Sequence, residues 1–422
     1  MAHKRLTFLL GPEVSEPFFK LQDEYMSQPE VYGFMTPVFG KGVVYDATPE
    51  KRNKQYQGMA HGLRAQPLRS YVPKIEKETL DYLKRWKNEG EVNLLDALSE
   101  LTILTASRCL HGDDVREELF EDIARTYYDL DKGVQPLSFF WPNAPTKAHA
   151  QRDKARKEMV SIFSKVIKAR RSKTAKELEK NTDVLQVFLD LKYKDGSSLT
   201  DDEVVGLLIA LLFAGQHTSS ITSTWTTMFL MHNSRCLEEV MKEQKAVFSK
   251  KETGPKDLTS TIEFDDVAKM EYLENCVKES LRMHPPLILL MRMAMKDIET
   301  THNGQKFTIP KGDIVLTSPA VASRMDNVFK NPNAFEPERF AEPRREDKTP
   351  YAYLGFGGGH HACKGAMFGL LQVKTIVSIL LRNFSIEPVE KEFPEPDYTA
   401  MVVGPKNRLM VRYKKLPTSI IP

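Results

Sequence analysis

A long apolar segment in the middle of the chain constrains the fold most strongly. It begins at Thr200-Asp-Asp-Glu203, a capping box in which the threonine hydroxyl and the glutamate carboxylate satisfy backbone amides of a first helical turn. The apolar pattern continues to about Met231, so roughly thirty residues predict a rod of about 45 Å. Because its first half is apolar on nearly all sides, this helix belongs in the middle of a large core.

The flanking patterns predict a mainly helical chain with a small strand-rich region. The Asn303-Gly304 dipeptide is typical of a tight turn and indicates a hairpin. The prolines of His284-Pro285-Pro286 end the predicted helix 265–283. The predicted helices are 71–88, 93–110, one within 149–180, 265–283 and 363–381; the predicted strands are 5–10, 298–301, 305–309, 313–317 and a hairpin around Gly404-Pro405. No linker divides the chain, so we expect one domain over 1–422, mainly α with small β sheets (α+β).

Composition excludes several classes of protein. Hydrophobic residues make up 41% and charged residues 28%, the balance of a globular chain, and a net charge of +3 gives no reason to expect a nucleic-acid partner. The longest apolar stretch, 204–214, is well short of the ~18 residues of a membrane span. The basic stretch 149–180 predicts a solvated helix and loop, and the alternative is a docking face for an acidic partner or anionic lipid.

A glycine-rich turn, Phe356-Gly-Gly-Gly-His-His-Ala-Cys363-Lys-Gly365, presents one cysteine at the predicted start of a helix. Helix N-termini stabilise negative charge, so this position should lower the pKa of the thiol, and the glycines allow close approach to a flat group. The alternative is a buried structural cysteine. The other three cysteines lie within helical patterns and are expected to be inert; they are Cys109, Cys236 and Cys276.

Two weaker motifs precede the turn. Glu279 and Arg282 are three residues apart on one predicted helix face, so their side chains can pair, although such a pair is often a surface salt bridge of little value. Arg339, in Pro337-Glu-Arg-Phe340, could complete a buried network with them.

The three motifs in this order resemble the cytochrome P-450 haem-thiolate monooxygenases. The resemblance implies that Cys363 is the axial thiolate of haem b, with Phe356, Gly359 and Gly365 in the surrounding signature. It implies that haem lies between the long central helix and the cysteine-bearing helix. It also implies that Glu279, Arg282 and Arg339 form the structural triad that supports the cysteine loop.

The central helix carries a further resemblance. Ala214-Gly-Gln-His217-Thr218 is similar to the family's oxygen-activation motif, which implies proton delivery by His217 and Thr218, with space for dioxygen beside Gly215. A histidine where most of the family has an acid is typical of the sterol 14α-demethylases.

Other segments resemble the same subfamily, above all the sixteen residues from Val31 to Asp46. The matching positions imply contacts of Tyr45, Arg292 and His361 with the haem propionates, helped by a basic residue within 51–54. They also imply an apolar sterol pocket, as expected for a rigid apolar substrate. Its implied lining is Tyr32, Phe34, Met35, Phe39, Ala210, Phe213, Ala214, Leu287, Leu289, Met291, Met401 and Val402.

The implied reaction removes the 14α-methyl group of a sterol in three oxidations, through alcohol and aldehyde to formate. Each step takes dioxygen and two electrons from an NADPH–cytochrome P-450 reductase, and azole inhibitors are expected to bind. Phe34 occupies the position of a filter at sterol C4, which implies a preference for C4-monomethyl sterols such as obtusifoliol. The alternatives are a haem monooxygenase of another apolar substrate and a haem-binding chain without turnover.

The sequence also departs from the family. His360, Lys364 and Gly369 stand where arginine, an apolar residue and alanine are usual. The resemblance begins at the second strand of the fold, so we expect a truncated start without the membrane anchor, first helix and first strand. Through that anchor the family implies residence at the cytoplasmic face of the endoplasmic reticulum membrane.

Overall fold

The computed structural model describes residues 5–178, 181–248, 261–302 and 304–417, and these ranges are mainly helical with small β sheets, as predicted. The helices are α1 Glu16–Lys20, α2 Pro29–Tyr32, α3 Thr36–Phe39, α4 Pro49–Gly62, α5 Ala65–Leu83, α6 Leu94–Ala106, α7 Asp113–Glu118, α8 Phe120–Lys132, α9 Pro136–Phe140, α10 Lys147–Arg171, α11 Ala175–Leu178, α12 Val184–Asp190, α13 Asp201–His232, α14 Ser234–Phe248, α15 Phe264–Lys269, α16 Glu271–Met283, α17 Pro319–Ala322 and α18 Ala366–Asn383. The strands are β1 Leu6–Leu9, β2 Met26–Ser27, β3 Glu89–Asn93, β4 Leu290–Ala294, β5 Ile298–His302, β6 Gln305–Ile309, β7 Ile314–Thr317, β8 Phe384–Pro388 and β9 Met410–Lys415.

Helix α13 is the predicted central rod. The Glu203 amide donates to the Thr200 hydroxyl at 3.2 Å and the Glu203 carboxylate accepts from the Thr200 amide at 2.9 Å, so the capping box is confirmed. The helix packs against α6, α10, α16 and α18, and Trp225 in its second half is fully buried. It therefore forms the axis of the main core.

The largest sheet has the strand order β1-β7-β4-β2. Strand β1 is an edge strand that pairs in parallel with β7, while β4 pairs antiparallel with both β7 and β2. This sheet lies at one side of the helical core and carries Arg292 on β4. The hairpin of β5 and β6 confirms the predicted strands, although Asn303 of its turn lies outside the described residues.

Several predicted boundaries are wrong, for identifiable reasons. Helix α5 begins six residues before the predicted Tyr71 and contains Pro73. The predicted helix 265–283 is interrupted at Met270, because the Glu243 carboxylate of α14 accepts from the amides of Tyr272 (2.6 Å) and Leu273 (3.1 Å) and so caps α16 as a separate helix.

The C-terminal region differs in two places. Helix α18 begins at Ala366 rather than at Cys363. Strands β8 and β9 do pair, but Gly404-Pro405 is not their turn: Pro405 bridges Pro396 on the returning side of a long loop.

Two of the described helices, α13 and α18, are long and apolar enough to cross a membrane. The most apolar windows of these helices are 67% and 78% buried inside the protein, which is typical of core helices.

Candidate active site

The cysteine loop is shaped by close contacts that only glycine tolerates. Gly357 and Gly359 have positive φ angles of 68° and 63°. A Cβ atom on Gly359 would lie 1.9 Å from the backbone oxygen of Phe19, so the loop is pressed against α1. The Cys363 amide donates to the Phe356 carbonyl at 2.9 Å and closes the loop.

Cys363 is exposed, whereas the other three cysteines are buried. It lies three residues before α18, and not within the first turn as the sequence predicts. Desolvation by the surrounding protein raises the pKa of the thiol. The Gly365 amide and Lys364 act in the opposite direction. The predicted lowering of the thiol pKa is therefore not found for the protein alone, because desolvation outweighs the opposing effects of the Gly365 amide and Lys364.

The structure brings Glu279, Arg282 and Arg339 together in full burial. Glu279 accepts from Arg282 at 2.7 and 2.9 Å and from Arg339 Nε at 2.9 Å. Glu346, which the motifs did not indicate, adds a second carboxylate 2.5 Å from Arg339. The network ties α16 to the irregular segment that precedes the cysteine loop, and it is a buried network rather than a surface ion pair.

A cluster of basic side chains lies beside the loop. His361 contacts Asp23 through Nε2 at 2.8 Å, and the other oxygen of Asp23 accepts from Arg52, so Arg52 is the residue of 51–54 that joins this cluster. Burial alone would raise the pKa of Asp23, but the His361 hydrogen bond and Arg52 hold it below its usual value. Arg292 is also buried, and its Nε has no hydrogen-bond partner within the described ranges.

The middle of α13 is open on one side. Ala214 is exposed within a helix whose other residues are mostly buried, and no atom lies within 4 Å of a Cβ placed on Gly215. Thr218 donates its hydroxyl hydrogen to the Ala214 carbonyl at 2.6 Å. To donate elsewhere, this hydroxyl must first rotate away from the helix backbone.

His217 has a partner that the sequence did not indicate. Its Nε2 lies 2.9 Å from Asp131 Oδ1 at the end of α8, and both side chains are about one-third exposed. Tyr127, one turn earlier on α8, packs its ring against Phe213 with centroids 4.8 Å apart and donates to Gln216 at 3.2 Å. Helix α8 therefore flanks the predicted oxygen-activation segment.

Apart from Phe34 and Ala214, the predicted apolar residues fall into four groups. Phe39 and Ala210 belong to the main core, and Phe39 packs edge-on against Phe213 with ring centroids 6.1 Å apart. Helix α3 can approach α13 here because Gly206 has no Cβ, which would lie 2.1 Å from the backbone oxygen of Phe39. Tyr32 stacks on Tyr45 at 5.3 Å, and its hydroxyl accepts from the Met291 amide at 3.4 Å. Met35 and Val402 are half-buried against the main core.

The fourth group comprises exposed apolar side chains, namely Leu287, Leu289 and Met401. Their segments are neighbours, because the Val403 amide donates to the Pro286 carbonyl at 2.8 Å. Gly404 in the same loop approaches Ile221 of α13. These exposed side chains therefore belong to loops beside the central helix.

Phe34 is buried and packs against two other aromatic rings. Its ring lies 6.2 Å from that of Tyr32 and 5.6 Å from that of Phe139 on α9. Phe139, like Asp131 and Asp23, lies in a segment without a recognisable motif, so pattern reasoning could not have found it.

These features together define a class of protein: a chain with one exposed thiol in a glycine-rich loop before α18, a central helix that packs against α18 and has an exposed section, and buried basic side chains. Over residues 1–412 the sequence matches the family model described as cytochrome P450. The chain belongs to the cytochrome P450 family.

Its relatives include sterol demethylases of plants and animals. The chain is 48% identical to obtusifoliol 14-alpha demethylase of Triticum aestivum, over 98% of this chain and 89% of that protein. It is 47% identical to sterol 14-demethylase of Arabidopsis thaliana (98% and 83%) and 39% identical to lanosterol 14-alpha demethylase of Homo sapiens (98% and 79%). The fold is similar to that of retinoic acid-bound cyanobacterial CYP120A1, with a TM-score of 0.84 and 23% identity over 98% of this chain and 90% of that one.

The cofactor of the family is haem, and the residues present fit it. Cys363 supplies an accessible thiol, and the unpartnered Nε of buried Arg292 is suited to an anionic group such as a haem propionate. In the described ranges, no cluster of three His, Cys, Asp or Glu side chains could hold a metal ion by itself. A single thiolate ligand to haem iron needs no such cluster.

Proposed function

We propose that this chain is a sterol 14α-demethylase that oxidises the 14α-methyl group to alcohol, aldehyde and formate. The observation that carries the proposal is its similarity, over 98% of its length, to 14-demethylases of both plants and animals. The exposed thiol in the glycine-rich loop and the exposed section of α13 support it, because a haem enzyme needs an accessible thiolate ligand and an accessible site for oxygen.

Haem, when bound, supplies the oxygen chemistry, since a cysteine thiolate ligand donates electron density to the iron and favours O–O cleavage. The tasks of the protein are to hold the cofactor, orient the sterol and deliver protons. Arg292, His361 and Tyr45, with Arg52, would hold the propionates, and Asp23 would fix the positions of His361 and Arg52.

Proton delivery is assigned to His217 and Thr218. The Asp131 carboxylate fixes one nitrogen of the His217 ring at 2.9 Å and links it to a partly exposed position, from which protons can be replaced by solvent. Rotation of the Thr218 hydroxyl away from the Ala214 carbonyl would make it available above the site.

The sterol would lie against the aromatic and aliphatic walls around α13. Few polar groups are needed there, because a sterol precursor is a rigid apolar plate with one hydroxyl. We assign the preference for one methyl group at C4 to Phe34, whose buried ring is held between Tyr32 and Phe139.

Electrons would come from NADPH through cytochrome P450 reductase, and the enzyme would work at the cytoplasmic face of the endoplasmic reticulum membrane, where its substrate dissolves. Azoles would bind as inhibitors, because they would occupy the apolar pocket that the sterol uses and would compete with it for the cofactor.

The test is reconstitution of the purified holoprotein with reductase, NADPH and either obtusifoliol or lanosterol, with identification of products. We expect 14-demethylated sterol and one formate for each sterol consumed. Oxidation of other apolar compounds without sterol turnover would indicate a different monooxygenase. A haem spectrum with no NADPH consumption would indicate a binding protein without turnover.

A further inference from the structure

One buried arginine joins helix α10 to a wall of the proposed sterol pocket. Only 8% of Arg156 is exposed, and buried arginines are normally paired. Its Nη2 atom donates to the Phe39 carbonyl and to the Asp202 carboxylate, each at 3.0 Å. A single guanidinium group of α10 therefore contacts both the end of α3 and the first turn of α13.

The backbone after α3 is shaped to admit this guanidinium group. Gly40 has a positive φ angle of 104°, and a Cβ atom there would lie 2.3 Å from Arg156 Nη2. A side chain at this position would therefore displace the arginine. Gly206 of α13 likewise has no Cβ atom where the Phe39 carbonyl lies, so this carbonyl is enclosed between α10 and α13.

The next residues of the chain are held from α4. Gln55 is fully buried, and its side-chain amide donates to the Gly42 carbonyl at 2.8 Å and accepts from the Val44 amide at 2.9 Å. We call residues 36–44 the α3 segment. Its backbone is thus fixed from two helices, by Arg156 of α10 and by Gln55 of α4.

The ring of Phe39 is the group that these contacts position. It packs edge-on against Phe213 of α13, and both residues belong to the lining implied for the sterol. Binding to a wall that is already in place costs less conformational entropy than binding that must first order the wall. Because a hydrogen bond from a charged donor is among the stronger kinds, the Arg156 contact is suited to keeping this wall formed without a ligand.

We propose that Arg156 is a positioning residue that holds the α3 segment against α13 and so keeps the Phe39 wall in place before the sterol enters. Asp202 contributes the second anchor, because its carboxylate fixes the guanidinium group beside the Phe39 carbonyl. The sterol as ligand rests on the proposed function, whereas the clamp rests only on the contacts of Arg156.

The test uses matched variants of the holoprotein. Arg156→Met removes the donor and keeps a long apolar stem. Arg171→Met is the control, because Arg171 also joins α10 to the first turn of α13, through Asp201 at 2.5 Å, but this pair lies at the surface with side chains 46% and 41% exposed. Asp202→Asn weakens the second anchor at an exposed carboxylate, so it provides a milder variant where Arg156→Met gives too little folded protein.

Hydrogen exchange of the sterol-free holoprotein, measured by mass spectrometry on peptides that cover 36–46, tests the clamp without any substrate. Amide exchange reports local opening of the backbone. A hydrogen bond to a charged group is worth about tenfold to a hundredfold in an equilibrium constant, so exchange there should be at least about tenfold faster in Arg156→Met than in the wild type. Asp202→Asn should show a smaller increase, and Arg171→Met should exchange at the wild-type rate.

Sterol titration, followed as the spin-state change, and steady-state turnover measure the consequence for the site. If the wall is formed in only about a third of the molecules, the apparent Kd rises about threefold. We therefore expect the Kd and the KM for obtusifoliol to rise at least about threefold in Arg156→Met. The kcat should stay within about twofold of the wild-type value, because a bound sterol holds the wall in place again.

Exchange over 36–46 in Arg156→Met that equals that of the wild type or of Arg171→Met would overturn the proposal. Faster exchange spread evenly over the protein would overturn it as well, because Arg156 would then support the whole fold and not the wall. A wild type that shows no spin-state change with obtusifoliol or lanosterol would refute the proposed function instead, and the exchange comparison would still decide the clamp.

Discussion

Cys363 is the residue whose identity decides the chemistry. Replacing it with serine should abolish the red-shifted carbon monoxide band of thiolate-ligated ferrous haem, because an alcohol is not a thiolate donor. Absorption spectroscopy of the reduced protein measures this directly. Cys109→Ala is the control, since Cys109 is fully buried and lies away from the glycine-rich loop. A band that survives the loss of Cys363 would refute the ligand assignment.

The contact between His217 and Asp131 makes a second prediction. His217→Ala should slow demethylation by about 10²- to 10⁴-fold, the usual worth of a proton-transfer group, while peroxide formation rises. Asp131→Asn should produce a smaller loss in the same direction, because it removes the charge and keeps a hydrogen-bonding amide. Sterol binding, followed as the spin-state change, should be retained in both variants.

Asp129→Asn is the matched control for this pair. Asp129 lies on the same helix but contacts Gln151 at 2.7 Å on the surface, so its variant should demethylate at the wild-type rate. Wild-type rates in the His217 and Asp131 variants would rule out the proton-delivery role.

Phe34 provides the prediction on specificity. A smaller leucine would leave room for a second C4 methyl group, so Phe34→Leu should shift the ratio of obtusifoliol to lanosterol turnover toward lanosterol. One methyl group in an apolar pocket is worth roughly 10- to 200-fold, which sets the range of the change. Competition assays with both sterols measure the ratio. Phe307→Leu, at an exposed position on β6, should leave it unchanged; an equal shift in both variants would argue against a filter at Phe34.

At the scale of elements, the Glu279 network joins α16 to the segment before the cysteine loop. Glu279→Gln leaves two buried guanidinium groups facing a neutral amide, so we expect a loss of about 3–5 kcal/mol in the free energy of unfolding. Denaturant unfolding of the holoprotein, followed by haem absorbance, measures the loss. Lys77→Gln breaks an exposed ion pair and should cost less than about 1 kcal/mol. Similar values for the two variants would mean that the network does not support the loop.

The elements that the sequence predicted well are those whose signal is local. The capping box at Thr200 and the β5–β6 hairpin depend on neighbouring residues, and both were correct. The start of α16 was not predictable, because its cap is the Glu243 side chain of another helix. The same difference between local signals and distant contacts explains which residues of the candidate site were predicted. Cys363 and the triad residues lie in motifs, whereas Asp131 and Asp23 act through contacts with residues 86 and 338 positions away.

At the scale of the whole molecule, a half-buried histidine, His284, couples folding to pH. His284 stacks on Trp225 with centroids 4.0 Å apart, and burial, with Arg324 and Arg282 adding to it, lowers its pKa to about 3. The unfolded chain binds a proton near the ordinary pKa of about 6.5, but the folded protein does not. Stability should therefore fall as the pH drops from about 6.5 toward 3, by up to about 1.4 kcal/mol per pH unit from this residue.

The variant His284→Phe keeps the ring and removes the proton site. Unfolding free energies at pH 5 and pH 7 should differ less in the variant than in the wild type, by up to about 2 kcal/mol. An identical difference in the two proteins would show that His284 is not the coupled group.

The pairing of β1 with β7 has a consequence for folding during synthesis on the ribosome. Leu6 is paired with Ile314, so the first strand leaves the ribosome long before its partner exists. At a translation rate of about 5–20 residues per second, β7 is synthesised about 15–60 s after β1. During that time an apolar strand with free amides and carbonyls is exposed to every neighbouring nascent chain. Yields in a heterologous host should therefore depend on the chaperones that cover this strand while translation continues.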